Sequence, residues 1–221
     1  MKVNRLAIFD CDGTLVDSQD VICRAMADCF VAAGRVPPPA EQTRRVVGLS
    51  LVQAMEALLP EETAATHFDL AERYKRVFQD LRARGHVDEP LFDGIAELID
   101  SLKEDGWLLG VATGKSDRGL ALCLGCHGLA ARFVTLQTAD RHPSKPHPSM
   151  IEQAMADAGA TAETTVMIGD TSYDIAMARG AGVTAIGVAW GYHEPGELWE
   201  AGAHHVADHP LEVLEWMRKT A

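Results

Sequence analysis

Short apolar runs that alternate with helical patterns are the feature that most restricts the fold of this chain. A short apolar run bounded by turn-forming residues is typical of a buried strand, and strands alternating with helices indicate βαβ units. The expected strands lie at 6–9, 108–112, 133–136, 166–168 and 185–189, with a short last one at 205–207. Helical patterns lie between them at 95–103, 118–124, 150–158 and 175–179. The alternation predicts a doubly wound parallel sheet, a Rossmann-like α/β core.

Residues 17–88 interrupt this alternation. Apolar residues recur there at helical intervals, as in Ile22, Met26, Cys29 and Phe30, and no clear strand pattern appears. The sequence therefore predicts a core domain formed by 1–16 and 89–221, with a helical domain inserted at 17–88.

Two carboxylates, Asp10 and Asp12, directly follow the first expected strand. In open α/β sheets, ligands bind at the carboxyl ends of the strands, and a turn at Gly13 can bring both acids towards one point. Two carboxylates suit Mg²⁺, and they also suit a division of labour between a nucleophile and a proton carrier. An acidic turn without chemistry is the alternative for this motif taken alone.

Later loops place further reactive groups after other strands. The strand at 108–112 leads into Thr113 and Gly114. These residues offer a hydroxyl group and a backbone N–H at the start of a helix, and both groups can bind an anion. Lys145 precedes a proline in a loop, and the strand at 166–168 leads into Asp170 and Asp174. Because loops after parallel strands share one edge of the sheet, we expect these residues to converge on the first pair of carboxylates.

The charge of the chain argues against several classes of partner. Lys and Arg total 20 and Asp and Glu total 32, so the net charge is −12, and no long basic run offsets it. Nucleic acid and anionic membranes are therefore poor partners. The sequence carries no apolar signal region or membrane-length stretch, and an odd count of five cysteines favours reduced thiols. We expect a cytoplasmic protein, monomeric or dimeric.

Taken together, these motifs resemble those of the haloacid dehalogenase superfamily of phosphotransferases. The helical insertion is similar to the α-helical cap of that family, and the resemblance covers essentially the whole chain. The four motifs stand in the order of the family: Asp10-x-Asp12-Gly13-Thr14, Thr113-Gly114-Lys115, Lys145-Pro146 and Gly169-Asp170-x-x-x-Asp174.

The resemblance implies phosphoryl transfer at the first motif. Asp10 would attack phosphorus and form an aspartyl phosphate, and Asp12 would protonate the leaving alcohol and then deprotonate the hydrolytic water. Mg²⁺ would be held by Asp10, the carbonyl oxygen of Asp12 and Asp170. Cys11 and Thr14 are further candidates for phosphate binding. Because the dehalogenases and phosphonatases of the family lack an aspartate at the position of Asp12, this residue favours phosphate esters.

The other motifs would bind the phosphoryl group. Thr113 and the Gly114 N–H would hold its oxygens, and Lys145 would neutralise the charge on them. Asp174 would orient Lys145 or a metal-bound water without touching the phosphoryl group itself.

Substrate specificity is expected to come from the cap. Arg45 and Ser50 lie in the segment 44–50 before a cap helix, where a loop could reach the pocket; a solvated face is the alternative for Arg45. Residues 187–192 are similar to the corresponding segment of phosphoglycolate phosphatase-like members. The sequence thus predicts a Mg²⁺-dependent phosphatase of a small phosphorylated metabolite, with phosphoglycolate as one candidate. A phosphosugar mutase like β-phosphoglucomutase, a pyrophosphatase and an idle binding protein are the alternatives.

Overall fold

The computed structural model describes residues 3–220 and contains a six-stranded sheet. Its strands are β1 (Asn4–Phe9), β2 (Leu108–Thr113), β3 (Thr135–Thr138), β4 (Ala160–Gly169), β5 (Thr184–Val188) and β6 (His205–Ala207). The order across the sheet is β3-β2-β1-β4-β5-β6, and each neighbouring pair is parallel. The chain therefore begins in the middle of the sheet and winds outward first to one side and then to the other, which confirms the predicted doubly wound core.

Ten α-helices accompany the sheet within the described part of the chain. In chain order they are α1 (Gln19–Ala32), α2 (Ala40–Arg45), α3 (Leu51–Leu58), α4 (Ala64–Ala83), α5 (Ile95–Glu104), α6 (Asp117–Cys126), α7 (Ser149–Ala158), α8 (Ser172–Gly180), α9 (Pro195–Glu200) and α10 (Pro210–Thr220). Between residues 3 and 220, no helix combines the length and apolar composition that crossing a membrane requires.

The central strand β1 is buried on both faces because helices cover the sheet on both sides. Its side chains alternate, so that Ala7 and Phe9 pack into one apolar cluster and Leu6 and Ile8 into another. Helices α5, α6 and α10 supply the first cluster, and α7, α8 and α9 supply the second. This two-sided burial explains why the strand reads as a continuous apolar run.

Helices α1, α3 and α4 pack on one another through a third apolar cluster that includes Phe30, Met55 and Leu70. The two chain segments that connect these helices to the sheet lie side by side, because the Asp17 N–H donates to the Pro90 carbonyl at 2.8 Å. The division into an inserted domain at 17–88 and a core at 1–16 and 89–221 stays a prediction, and its boundaries fall at these paired segments.

Polar residues account for the largest differences between predicted and observed elements. Strand β3 lies two residues later than predicted, because Gln137 is buried through hydrogen bonds from its Nε2 to Thr135 and Asp157, at 2.7 and 2.8 Å. Strand β4 begins at Ala160, six residues early, in a partly exposed polar stretch. Helix α2 was not predicted at all, and it places Arg45 in a last helical turn rather than in a loop.

Candidate active site

The carboxyl edge of the sheet brings residues of all four motifs together. Asp10 follows β1, Thr113 ends β2 and Asp170 follows β4, which are neighbouring strands. Lys145 comes from the loop between β3 and α7, and its Nζ lies 2.9 Å from Asp10 Oδ1 and 2.6 Å from Asp174 Oδ1. All five side chains are at most 1% exposed. Residues far apart in the sequence thus meet at one point, while their chemical roles stay predictions.

Asp10 is held through one carboxylate oxygen. Its Oδ1 accepts a hydrogen bond from the Cys11 N–H at 2.6 Å and contacts the Lys145 ammonium. Its Oδ2 is buried and has no hydrogen-bond partner among residues 3–220. Burial raises the pKa of Asp10 to about 7, with the Lys145 ammonium acting in the opposite direction. An oriented carboxylate with one unpaired oxygen can attack an electrophile or bind a cation.

Asp170 is held between the first motif and the loop after β5. Thr14 Oγ1 donates to its Oδ1 at 2.8 Å, and the Tyr192 N–H donates to its Oδ2 at 2.9 Å. Two glycines make room for it, because a Cβ at Gly13 or at Gly191 would lie 2.2 Å from an Asp170 atom. This side chain is therefore fixed in position from both sides.

Asp174 joins the fourth motif to Lys145. Its Oδ2 accepts hydrogen bonds from the Thr171 N–H at 3.1 Å and the Thr171 hydroxyl at 2.7 Å. The Asp174 N–H donates back to Thr171 Oγ1 at 3.3 Å, which completes a capping box at the start of α8. Its Oδ1 accepts from Lys145 Nζ at 2.6 Å. The local helix cap thus orients the carboxylate that orients the lysine.

The acidic cluster fits a divalent metal ion. Carboxylate oxygens of Asp10, Asp170 and Asp174 lie within 4.8 Å of one another. Burial, together with the charges of Asp174 and Asp10, raises the pKa of Asp170 well above its ordinary value. Within residues 3–220, the Lys145 ammonium contacts two of these three buried carboxylates and Asp10 Oδ2 has no hydrogen-bond partner, so negative charge is in excess. Hard oxygen ligands with excess negative charge are what Mg²⁺ prefers.

Asp12 is held by a network that the sequence did not reveal. Its Oδ1 lies 2.8 Å from Lys115 Nζ and accepts a hydrogen bond from the Ser18 hydroxyl. Lys115 also contacts Glu89 Oε1 at 2.8 Å, and Arg82 on α4 donates to Glu89 Oε2 at 2.6 Å. Burial lowers the pKa of Lys115, but Asp12 and Glu89 outweigh this effect and hold it well above its usual range. A series of ion pairs therefore connects Asp12 to the inserted helices.

A cavity of about 350 Å³ opens above these residues. Asp10, Asp12, Thr113 and Gly114 form part of its wall, and residues of α1, α3, α4 and α6 form another part. The segment 46–49 also lines it, and it approaches so closely that a Cβ on Gly114 would lie 2.6 Å from the Leu49 carbonyl oxygen. Within the segment 44–50, which was expected to reach the pocket, residues 46–49 thus line it.

Other candidate residues lie outside the cavity wall. Arg45 makes a bidentate ion pair with Glu197 on α9, in which each guanidinium nitrogen lies 2.5 Å from a carboxylate oxygen. The Ser50 N–H donates to Ser144 Oγ at 2.8 Å. Cys11 is buried, and its Sγ lies 3.8 Å from Cys123 Sγ. The Thr14 hydroxyl donates its hydrogen bond to Asp170. None of these four residues is among those that line the cavity, and their predicted roles in binding stay predictions.

Lys115, Glu89 and Ser18 were not among the predicted site residues. Lys115 stands inside the second motif, so its position was a usable signal. Ser18 occupies the N-cap position of α1, but its side chain makes no capping hydrogen bond and donates to Asp12 instead. Glu89 follows a helical stretch without any motif, so no local pattern could indicate it.

Comparison with known proteins places this site in a family. A model of the family described as "Haloacid dehalogenase-like hydrolase" matches residues 7–188. A "Probable phosphatase IndB" from Dickeya dadantii is 37% identical over 95% of this chain and 91% of its own length. A "Phosphoglycolate phosphatase" from Vibrio parahaemolyticus is 30% identical over 96% of this chain and 95% of its own length. The crystal structure of a hydrolase from Pseudomonas syringae superimposes with a TM-score of 0.86 at 25% identity, covering 100% of both chains. The chain therefore belongs to the haloacid dehalogenase-like hydrolase family, as its motifs predicted.

Proposed function

We propose that the chain hydrolyses the phosphate monoester of a small metabolite, with Asp10 as the nucleophile. The enzyme is a phosphatase: its family, its motif set and the names of its relatives agree on this point. The observation that carries the proposal is the state of Asp10, whose Oδ1 is held by Lys145 and the Cys11 N–H while its Oδ2 has no partner in the described part of the chain.

The first step transfers the phosphoryl group to the enzyme. An Asp10 oxygen forms a bond to phosphorus while the bond from phosphorus to the alcohol oxygen breaks, and protonated Asp12 gives its proton to that oxygen. Lys145 stabilises the charge on the phosphoryl oxygens, assisted by the Thr113 hydroxyl and the Gly114 N–H. The position of Thr113 and Gly114 in the cavity wall supports this assignment.

The second step returns the phosphoryl group to water. Asp12, now ionised, takes a proton from a water molecule, whose oxygen attacks phosphorus and releases the Asp10 carboxylate. Lys115 and Ser18, which contact Asp12 Oδ1, hold this carboxylate in position in both steps. They act as positioning residues, because they act through the carboxylate of Asp12.

Asp10, Asp170 and the carbonyl oxygen of Asp12 would hold Mg²⁺, which would supply charge neutralisation for the nucleophile and the phosphoryl oxygens. Asp174 lies in the same acidic cluster, but it is already engaged by Lys145 and Thr171. It therefore acts by orienting Lys145.

The proposal is tested by phosphate release from p-nitrophenyl phosphate and a panel of metabolite phosphates, with Mg²⁺ and with chelator. We expect turnover that depends on Mg²⁺, is lost in Asp10→Asn and yields a phosphorylated peptide containing Asp10 after acid quench. Phosphoglycolate belongs in the panel because several relatives carry that name. Absence of phosphate release from every ester would refute the proposal, and isomerisation of a sugar phosphate without release would favour the mutase.

A further inference from the structure

Outside the motif residues, the wall of the cavity is largely apolar. Ile22 and Met26 on α1, Val47 before α3, Tyr74 and Phe78 on α4, and Leu122 on α6 all line it. The volume of about 350 Å³ lies in the range of ~300–1,000 Å³ that is typical of small-molecule sites. The space is therefore open to a leaving group that can bury an apolar body.

The cationic side chains of the cavity offer little to a second anionic group on the substrate. Arg82 and Lys115 both contact Glu89, at 2.6 and 2.8 Å, and Lys75 contacts Glu72 at 2.8 Å. The fourth cation, Arg118, is exposed, where an ion pair contributes little. A carboxylate on the leaving group would have to separate an existing pair, reach the exposed Arg118 for little gain, or lie against apolar side chains at a desolvation cost.

We propose that the preferred substrate is the phosphate monoester of an uncharged alcohol with an apolar, ring-sized body, rather than phosphoglycolate. This inference rests on the proposed function, since it names the alcohol that the same site releases. The phosphate lies against Asp10 and Lys145, and the alcohol body extends between α1 and α4.

Phe78 and Tyr74 give the apolar wall a shape suited to a ring. Their ring centroids lie 5.9 Å apart at an interplanar angle of 35°. Two cations also lie over the Phe78 ring: Arg82 Cζ is 5.6 Å and Lys115 Nζ is 5.9 Å from the ring centroid. These cation–π contacts restrain the orientation of the ring. Met26 completes this side of the wall with a flexible side chain that can adapt to an apolar ligand.

Two pairs of esters test the proposal with the purified chain and Mg²⁺. In the first pair, 3-phenylpropyl phosphate differs from propyl phosphate by a ring at the far end, and we expect its kcat/KM to be ~tenfold higher or more. In the second pair, phosphoglycolate differs from ethyl phosphate by a carboxylate, and we expect no gain in kcat/KM. A higher kcat/KM for phosphoglycolate than for 3-phenylpropyl phosphate would overturn this inference alone. Hydrolysis of none of these esters, nor of p-nitrophenyl phosphate, would overturn the proposed function and this inference with it.

Variants locate the preference in the cavity wall. Phe78→Ala and Leu122→Ser each remove a lining side chain, and both should lower the kcat/KM ratio of 3-phenylpropyl to propyl phosphate ~fivefold or more. Phe68→Ala is the matched control, because Phe68 lies on the same helix α4, is 60% exposed and is outside the cavity wall. Leu122 is 40% exposed, so its variant tests the proposal even where Phe78→Ala fails to fold. A ratio unchanged in Leu122→Ser and in folded Phe78→Ala would refute the assignment.

Discussion

Replacing Asp10 by asparagine should abolish turnover and at the same time stabilise the metal-free protein. Asp10 is 1% exposed, and it shares one lysine with Asp174 while Asp170 lies in the same cluster. Removing its charge relieves repulsion among buried carboxylates. The variant also leaves Lys145 with its second partner, since the contact to Asp174 at 2.6 Å does not involve residue 10.

The magnitude follows from the pKa of Asp10, which burial raises from 3.8 to about 7. At ~1.4 kcal/mol for each tenfold change in proton affinity, ionising this carboxylate in the folded protein costs roughly 4 kcal/mol. An asparagine amide leaves buried hydrogen-bonding groups unpaired at a cost of ~1–3 kcal/mol. We therefore expect Asp10→Asn to raise the free energy of unfolding by ~1–3 kcal/mol at pH 8.

Urea unfolding in the presence of chelator measures this difference, and its pH dependence has a definite sign. Because the folded-state pKa of Asp10 is raised, the stability that its proton confers is fully present below pH ~4 and is lost as the pH rises through ~7. The advantage of Asp10→Asn should thus be largest at pH 8 and shrink towards pH 5. Saturating Mg²⁺ should reverse the order, because binding at 1,000-fold its Kd adds ~4.1 kcal/mol to the wild type.

The control is Asp88→Asn, which removes one exposed carboxylate and should change stability by less than ~0.5 kcal/mol. If Asp10→Asn were no more stable than wild type at pH 8 in chelator, excess negative charge would not be the property that makes this cluster a cation site. An advantage that grew as the pH fell would refute the assignment to Asp10.

Three further substitutions separate the roles of the surrounding residues. Asp12→Asn should slow hydrolysis of propyl phosphate ~10²–10⁴-fold and that of p-nitrophenyl phosphate far less, because nitrophenolate leaves without a proton; equal losses in kcat would contradict proton donation. Arg45→Ala should change kcat/KM less than ~threefold, because the half-exposed Arg45 pairs with Glu197 outside the cavity; a ~tenfold rise in KM would instead support the substrate-binding role predicted from the sequence. Gly191→Ala should weaken Mg²⁺ binding in calorimetry ~tenfold or more, because the added methyl would lie 2.2 Å from Asp170 Cβ; unchanged affinity would contradict Asp170 as a ligand.

The sequence predicted the core well because burial on both faces of β1 leaves a continuous apolar run, and the reactive residues follow such runs directly. Asp10, Thr113 and Asp170 could be placed at one edge from strand order alone, since parallel strands end on the same side. The series of ion pairs from Asp12 through Lys115 to Glu89 could not be predicted, because its members come from three distant segments and no local pattern pairs them. Helix α2 was missed for a related reason: only Thr43 in it is buried, so it carries almost no apolar periodicity.

The wall of the cavity is the part that sequence patterns could not separate from ordinary core. Met26 and Tyr74 belong to the apolar cluster of the inserted helices and also line the cavity, so the same helical spacing serves packing and ligand contact. Substitutions at these two positions will therefore change stability and specificity together. Leu122, by contrast, lies outside that cluster and borders the same space from the core side. The choice of alcohol can thus change through residues such as Leu122 without loss of the helical packing, while the acidic cluster that we propose performs the chemistry remains unchanged.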